Sequence, residues 1–183
     1  MSVPYLIFTC SACDYGESSF VAVGHFVWVS DGKICNFFPK IGICNDCSQI
    51  VAIEGIPDRS TFLRARELHP SLKGKFQVFT ERKRDDAKWL AFQNDFDILE
   101  QVMAQNRLPV CLQCGSENTS GLKLPETYGG GLTNIPKTPL GVYHPNCGGE
   151  FFVEGSGRTR MGVVSKTHYF DLRGKYLTTL YGS

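Results

Sequence analysis

Cys10 and Cys13 stand two residues apart in "CSAC", as do Cys44 and Cys47 in "CNDC" and Cys111 and Cys114 in "CLQC". A fourth pair of the same spacing, His144 and Cys147 in "HPNC", replaces one thiol with an imidazole. Two residues between donors let a tight turn aim both at one cation, with backbone amides facing the sulfurs. Four such knuckles supply eight donors, enough for two tetrahedral shells. Thirty residues separate Cys13 from Cys44, and twenty-nine separate Cys114 from His144. Taken in chain order, this is C-x2-C-x30-C-x2-C followed by C-x2-C-x29-H-x2-C. The near-repeat predicts one site from the first two knuckles and another from the last two.

The donor set points to two Zn2+ ions per chain, because thiolate and imidazole both suit zinc in closed four-coordinate sites. Ligand type alone leaves iron open at the four-thiolate site. A disulfide framework is disfavoured by the length and by an amino end without a secretory signal pattern. A redox CxxC belongs beside a βαβ pattern, which is missing here. The residues after the knuckles suit tight turns: Gly115 follows "CLQC", Gly148 and Gly149 follow "HPNC", and Pro145 stiffens the last knuckle. Cys35 is left over and reads as a small buried hydrophobe in "KICNFF". His25, His69 and His168 have no ligand-like partner nearby in sequence.

No catalytic constellation accompanies these knuckles. HExxH, G-x-S-x-G and a Walker sequence are absent, and "PVCLQC" lacks the H-x-E that a nucleobase deaminase needs. A catalytic zinc keeps an open position, whereas both expected shells are filled by protein. A non-enzymatic role is therefore expected. The glycines 129–131 lack the strand–loop–helix context of a phosphate cradle and read as a loop tip.

These ligands need elements to hold them. In the first segment, "SFVAVGHFVWV" and "KICNFFPKI" flank Ser30-Asp31-Gly32, a hairpin signal, and "SQIVAIEG" follows as a strand. "GEFFVEG" closes the second segment, and "MGVVSKTHYFDLRGKYLTTLY" reads as a hairpin turning at Asp171-Leu172-Arg173-Gly174. Between them, "DRSTFLRARELHP" predicts a helix starting at Asp58 or Ser60 and stopping by Pro70. Trp89, Phe92, Phe96, Leu99 and Met103 recur at helical steps, predicting one helix over 85–106 with a core-facing stripe. The fold class expected is α+β: two zinc-ribbon-like β modules joined by a helical segment, with a C-terminal β-hairpin. The division is 1–57, 58–107 and 108–183.

The 183 residues are 42% hydrophobic and 20% charged, with mean hydropathy −0.14, an ordinary globular composition. No apolar run is long enough to cross a bilayer, which leads to the expectation of a cytoplasmic protein without membrane or small-molecule partners. The net charge of +1 is unevenly spread. Residues 59–88 carry nine Lys/Arg against four Asp/Glu. Arg64, Arg66, Lys73, Lys75, Arg82, Lys83 and Arg84 lie in this island, with Phe76 and Phe79 interleaved, which would suit nucleic-acid contact.

At "YLIFTCSACDYG", "GICNDCSQIV", "PVCLQCGSE" and "YHPNCGGEFFV" the chain resembles the zinc-ribbon group, and more narrowly bacterial proteins with a ribbon at each end. These stretches make up 42 of the 183 residues. The resemblance implies the metal and the local fold but not the partner, because one scaffold serves many roles. His144 departs from the commoner all-cysteine pattern. Protein–protein binding as an adaptor is the function expected, with nucleic-acid binding through 59–88 as the alternative.

Overall fold

The computed structural model describes residues 2–72, 86–93, 96–124, 135–160 and 166–181. β1 (Ser2–Cys10) ends on the first knuckle, and β2 (Gly16–Ser18) turns back beside it. A 3-10 turn (Ser19–Ala22) leads to β3 (His25–Ser30) and β4 (Lys33–Phe37). Their hairpin turns at Asp31 and Gly32, with φ of 50° and 74°. Two adjacent left-handed residues match the strand twist, which is why Asp-Gly favours this turn. β5 (Lys40–Cys44) and β6 (Gln49–Ile53) form the next hairpin, carrying the second knuckle at its tip. The helices are α1 (Arg59–Leu72), α2 (Asp86–Gln93) and α3 (Phe96–Ala104). After the third knuckle come β7 (Thr119–Gly121), β8 (Thr138–Tyr143), β9 (Glu150–Arg160), β10 (Lys166–Phe170) and β11 (Tyr176–Tyr181).

Among the described residues three sheets result, with orders β2-β1-β9-β8, β11-β10-β3-β4 and β6-β5-β7. Every one takes strands from both ends of the sequence. β1 pairs antiparallel with β9, setting Cys10 opposite Phe151 and Phe8 opposite Val153. β10 runs parallel to β3, with Phe170 opposite Trp28. β5 pairs with β7, setting Cys44 opposite Thr119, and Ile53 bridges to Cys111. The architecture is α+β, as expected, but its sheets join strands of the first and last segments as well as hairpins within each. The apolar faces explain why. Leu6 and Phe8 of β1 and Phe151 and Val153 of β9 are wholly buried, and pairing the two strands buries both faces together.

The helices pack on the sheet containing β3. Phe62, Phe96, Leu99 and Val102 share a core with Phe26, Trp28, Phe37 and Phe170. Trp28 stacks on Phe37 with ring centroids 4.3 Å apart. Burial of Phe96 and Leu99 agrees with the core reading of the helical stripe; the side chains of Trp89 and Phe92 lie outside the described residues. Cys35 is wholly buried in the same core. Of the helix expected over 85–106, the described residues show α2 (Asp86–Gln93) and α3 (Phe96–Ala104), with 94–95 lying outside them. Asp58 caps α1 by accepting from the Thr61 amide at 2.8 Å. α1 runs past Pro70 to Leu72, beyond the stop expected at the proline. A proline this close to a helix end removes only one donor from the final turns.

Glu54 fastens these layers together. It sits at the end of β6, fully buried, and accepts from Trp28 Nε1 at 2.6 Å. The Arg107 guanidinium, beyond α3, grips both its oxygens and also donates to the Leu172 carbonyl at 2.8 Å. Gly174, at φ 76°, lies against this pair: an added Cβ would stand 3.1 Å from Glu54 Oε1. The ion pair thus joins β6, β3, the end of α3 and the β10–β11 turn. Among the described residues no helix is long and apolar enough to cross a membrane.

Candidate metal centres

The eight donors gather into two quartets, but not in chain order. Cys10, Cys13, His144 and Cys147 form one, and Cys44, Cys47, Cys111 and Cys114 form the other; within each, the donor atoms lie within 4.8 Å of one another. This corrects the pairing expected from the loop lengths. The first knuckle closes with the fourth and the second with the third, so one site is nested inside the other along the chain. The reason is sheet pairing. β1 brings its terminal Cys10 beside β9, whose hairpin with β8 carries His144 and Cys147. β5 brings its terminal Cys44 beside β7, just after Cys111 and Cys114. Near-equal loops carry no pairing information once strands dictate neighbours.

Distances support the fit to a tetrahedral ion. A zinc–sulfur bond of about 2.3 Å places two ligand sulfurs about 3.8 Å apart. In the inner site, Cys44 Sγ lies 3.7 Å from Cys114 Sγ, and Cys47 Sγ lies 3.9 Å from Cys111 Sγ. The outer site is slightly tighter, with Cys147 Sγ 3.4 Å from Cys10 and 3.5 Å from Cys13. His144 Nδ1 lies 3.2 Å from Cys13 Sγ and 3.1 Å from Cys147 Sγ. All eight cysteines are free, and these separations are far from the ~2.05 Å of a disulfide.

The knuckle turns have the geometry such sites require. The Ala12 amide approaches Cys10 Sγ at 3.5 Å, and the Cys47 amide approaches Cys44 Sγ at 3.4 Å. The residue after the second ligand is left-handed in three knuckles: Ser48 at φ 53°, Gly115 at 79° and Gly148 at 70°. Gly149 answers a different need, because an added Cβ would lie 2.5 Å from Cys10 Sγ.

Electrostatics points the same way. In the outer site, the Ala12 amide brings the Cys10 thiol down to about 6, aided by Cys147, Cys13 and His144 against burial. Cys13 rises to about 11: its bond from the Tyr15 amide is outweighed by burial and by Cys147 and Cys10. In the inner site, burial pushes Cys111 up to about 11 and raises Cys47 further. Cys114 is lowered; its burial is outweighed by the Ser116 amide and by Cys47, Cys111 and Cys44. Within each quartet one thiol is eased toward ionisation, while Cys13 in the outer site and Cys47 and Cys111 in the inner site are held back from it. Further negative charge at this spacing needs a compensating cation.

The residues around the ligands were not singled out from sequence. Asp46, inside the second knuckle, accepts from Ser116 Oγ at 2.6 Å and from Asn118 Nδ2 at 2.9 Å, which keeps its carboxyl low. Asn45 Nδ2 donates to Asn118 Oδ1 at 2.9 Å. These bonds lock the second knuckle to the segment after the third. The polar residues of "CNDC" and "GSEN" were the only sequence signal for them.

Arg64 and Arg66 are exposed on α1, and Arg66 pairs with Glu100 at 3.3 Å. Lys73, Lys75, Phe76, Phe79, Arg82, Lys83, Arg84 and the glycines 129–131 lie outside the described residues. His69 Nδ1 lies 3.1 Å from the Ala91 carbonyl, and His168 Nδ1 lies 2.7 Å from Thr179 Oγ1; neither belongs to a quartet. Compared with family models, curated proteins and solved structures, the chain matches none. The metal reading therefore rests on geometry.

Proposed function

We propose that this is a non-catalytic, zinc-stabilised protein–protein interaction module, an adaptor that takes an extended segment of a partner protein along β11. Zinc is the ion that best suits a four-thiolate shell beside a three-thiolate, one-imidazole shell. Four protein donors per site leave no coordination position for a substrate, which supports a structural role. A reducing cytoplasmic setting fits eight unpaired cysteines.

The observation that carries the docking reading is the character of β11. Among the described residues it is the outer strand of its sheet, and its six residues, Tyr176-Leu177-Thr178-Thr179-Leu180-Tyr181, bear no charge. Tyr176, Leu177, Leu180 and Tyr181 are 49%, 50%, 56% and 66% exposed, so large apolar groups project from both faces. Native edge strands are usually protected by charge or proline, and an unprotected one is a template for strand addition. The occupant's chemistry follows from the ends of the strand. Lys175 precedes it, and Lys166 stands opposite Tyr181. A β-prone segment with acidic flanks complements this edge. A second copy pairing antiparallel would instead bring Lys175 of one chain to the end where the other carries Lys166.

The test compares wild type with Leu177→Lys/Leu180→Lys in affinity purification from nuclease-treated native cells, with cross-links mapped on the chain. A stoichiometric protein cross-linked to β11 and lost from the variant, at unchanged metal content, is the expected result. Binding indifferent to the substitutions, or capture that vanishes with nuclease, would overturn it.

A further inference from the structure

We infer that the inner ion sets the geometry of the outer site, so that the two sites bind metal with positive coupling relayed by Ser48. This rests on the reading that both quartets hold metal. Ser48 directly follows the inner ligand Cys47, and its carbonyl oxygen lies 2.9 Å from Nε2 of the outer ligand His144. With a proton on Nε2 donated to that carbonyl, Nδ1 presents its lone pair toward Cys13 and Cys147. A hydrogen bond on the far nitrogen fixes both tautomer and ring direction in a metal-bound histidine.

The carbonyl can do this only while the inner knuckle holds its turn. Ser48 is a non-glycine residue at φ 53°, a conformation needing support from its surroundings. Its amide donates to the Asn45 carbonyl at 3.3 Å, closing the loop around Asn45, Asp46 and Cys47. A second thread runs in parallel: Ser48 Oγ lies 2.7 Å from Oδ1 of Asn146, which sits between His144 and Cys147. A third runs through Tyr15, whose hydroxyl accepts from the Ile50 amide at 2.9 Å while its ring lies 5.2 Å from His144. An ion gripping Cys44 and Cys47 tightens the turn from which the first two start and fixes the head of β6, which carries the third. An empty inner knuckle frees Ser48, and His144, only 7% exposed, loses the acceptor that orients it.

Linkage makes the effect reciprocal: whatever factor the inner ion adds to outer-site affinity, the outer ion returns. Loss of an outer-shell partner weakens metal sites by about 10–100-fold, which sets the scale. The experiment is titration of the reduced, metal-free protein with Co2+, whose absorption distinguishes a four-thiolate from a three-thiolate, one-imidazole centre. In wild type the four-thiolate bands should develop first. In Cys44→Ser/Cys114→Ser, outer-site affinity should fall by about tenfold or more. Cys13→Ser/Cys147→Ser should weaken the inner site by the same factor. His144→Cys keeps a fourth outer ligand but removes the imidazole link. Both centres then absorb alike, so each is titrated alone by adding Cys44→Ser/Cys114→Ser or Cys13→Ser/Cys147→Ser. The two-ion curve should equal the sum of the two, with the coupling largely lost. Two ions binding independently in wild type, or coupling undiminished in His144→Cys, would overturn the relay while leaving the metal reading intact. No cobalt binding in wild type would overturn both.

Discussion

Crossed pairing makes a prediction that chain-order pairing reverses. Consider two double variants, Cys13→Ser/Cys147→Ser and Cys13→Ser/Cys47→Ser. In the structure Cys13 and Cys147 belong to one quartet, with sulfurs 3.5 Å apart, whereas Cys47 belongs to the other. The first variant leaves the outer site two donors and the inner site all four. The second leaves three donors at each. Structural zinc contributes about 10–16 kcal/mol, so an even division assigns about 2.5–4 kcal/mol to each ligand. Removing one further ligand then weakens a site by about 10²–10³ in Kd. Equilibrium dialysis against chelator-buffered zinc, with metal counted by mass spectrometry, resolves such a gap. Over the free-zinc range that fills three-donor sites, Cys13→Ser/Cys147→Ser should hold one ion per chain and Cys13→Ser/Cys47→Ser two. The reverse result, two ions and then one, would refute the nested arrangement.

Gly149→Ala should expel the outer ion and, at saturating zinc, leave the inner site filled, since its Cβ would stand 2.5 Å from Cys10 Sγ and 2.8 Å from the Ala12 nitrogen; metal content per site reads this directly. Glu54→Ala strands the Arg107 guanidinium, only 10% exposed, and should cost about 3–5 kcal/mol in denaturant unfolding at fixed free zinc. Glu54→Leu/Arg107→Leu should recover most of that loss, and a single-variant cost below about 1 kcal/mol would refute the role given to the pair. Asp58→Ala should cost about 1 kcal/mol by uncapping α1. Hydrogen bonds from Ser60 and Thr61 hold the Asp58 carboxyl at about 2, below its unfolded value. Its contribution is therefore complete above about pH 4 and lost as pH falls toward 2, so the gap between wild type and Asp58→Ala should close over that window.

The ligands were legible because a knuckle is a local device: two intervening residues and a left-handed follower prescribe it without reference to the rest of the chain. The Asp31-Gly32 hairpin was legible for the same reason, as was the C-terminal hairpin at Asp171-Leu172-Arg173-Gly174. Pairing was not. Whether Cys13 shares an ion with Cys44 or with Cys147 depends on β1 choosing β9 across more than a hundred residues, and single-sequence periodicity is silent about that choice. Glu54 illustrates the same gap. A glutamate closing "SQIVAIEG" reads as the exposed end of a strand, because burial becomes tolerable only through Arg107, 53 residues away. Ser48 gave no signal, since its role lies in a main-chain oxygen.

The nesting also fixes the order in which a growing chain can be completed. Cys47 must wait 64 residues for Cys111, but Cys13 must wait 131 for His144. At roughly 5–20 residues per second, the inner partners meet within about 3–13 s, while the outer thiols remain unmatched for about 7–26 s. A nascent chain whose third knuckle has emerged and whose fourth has not would therefore be able to assemble one quartet only. Its two earliest thiols would still be open to any competing metal or oxidant.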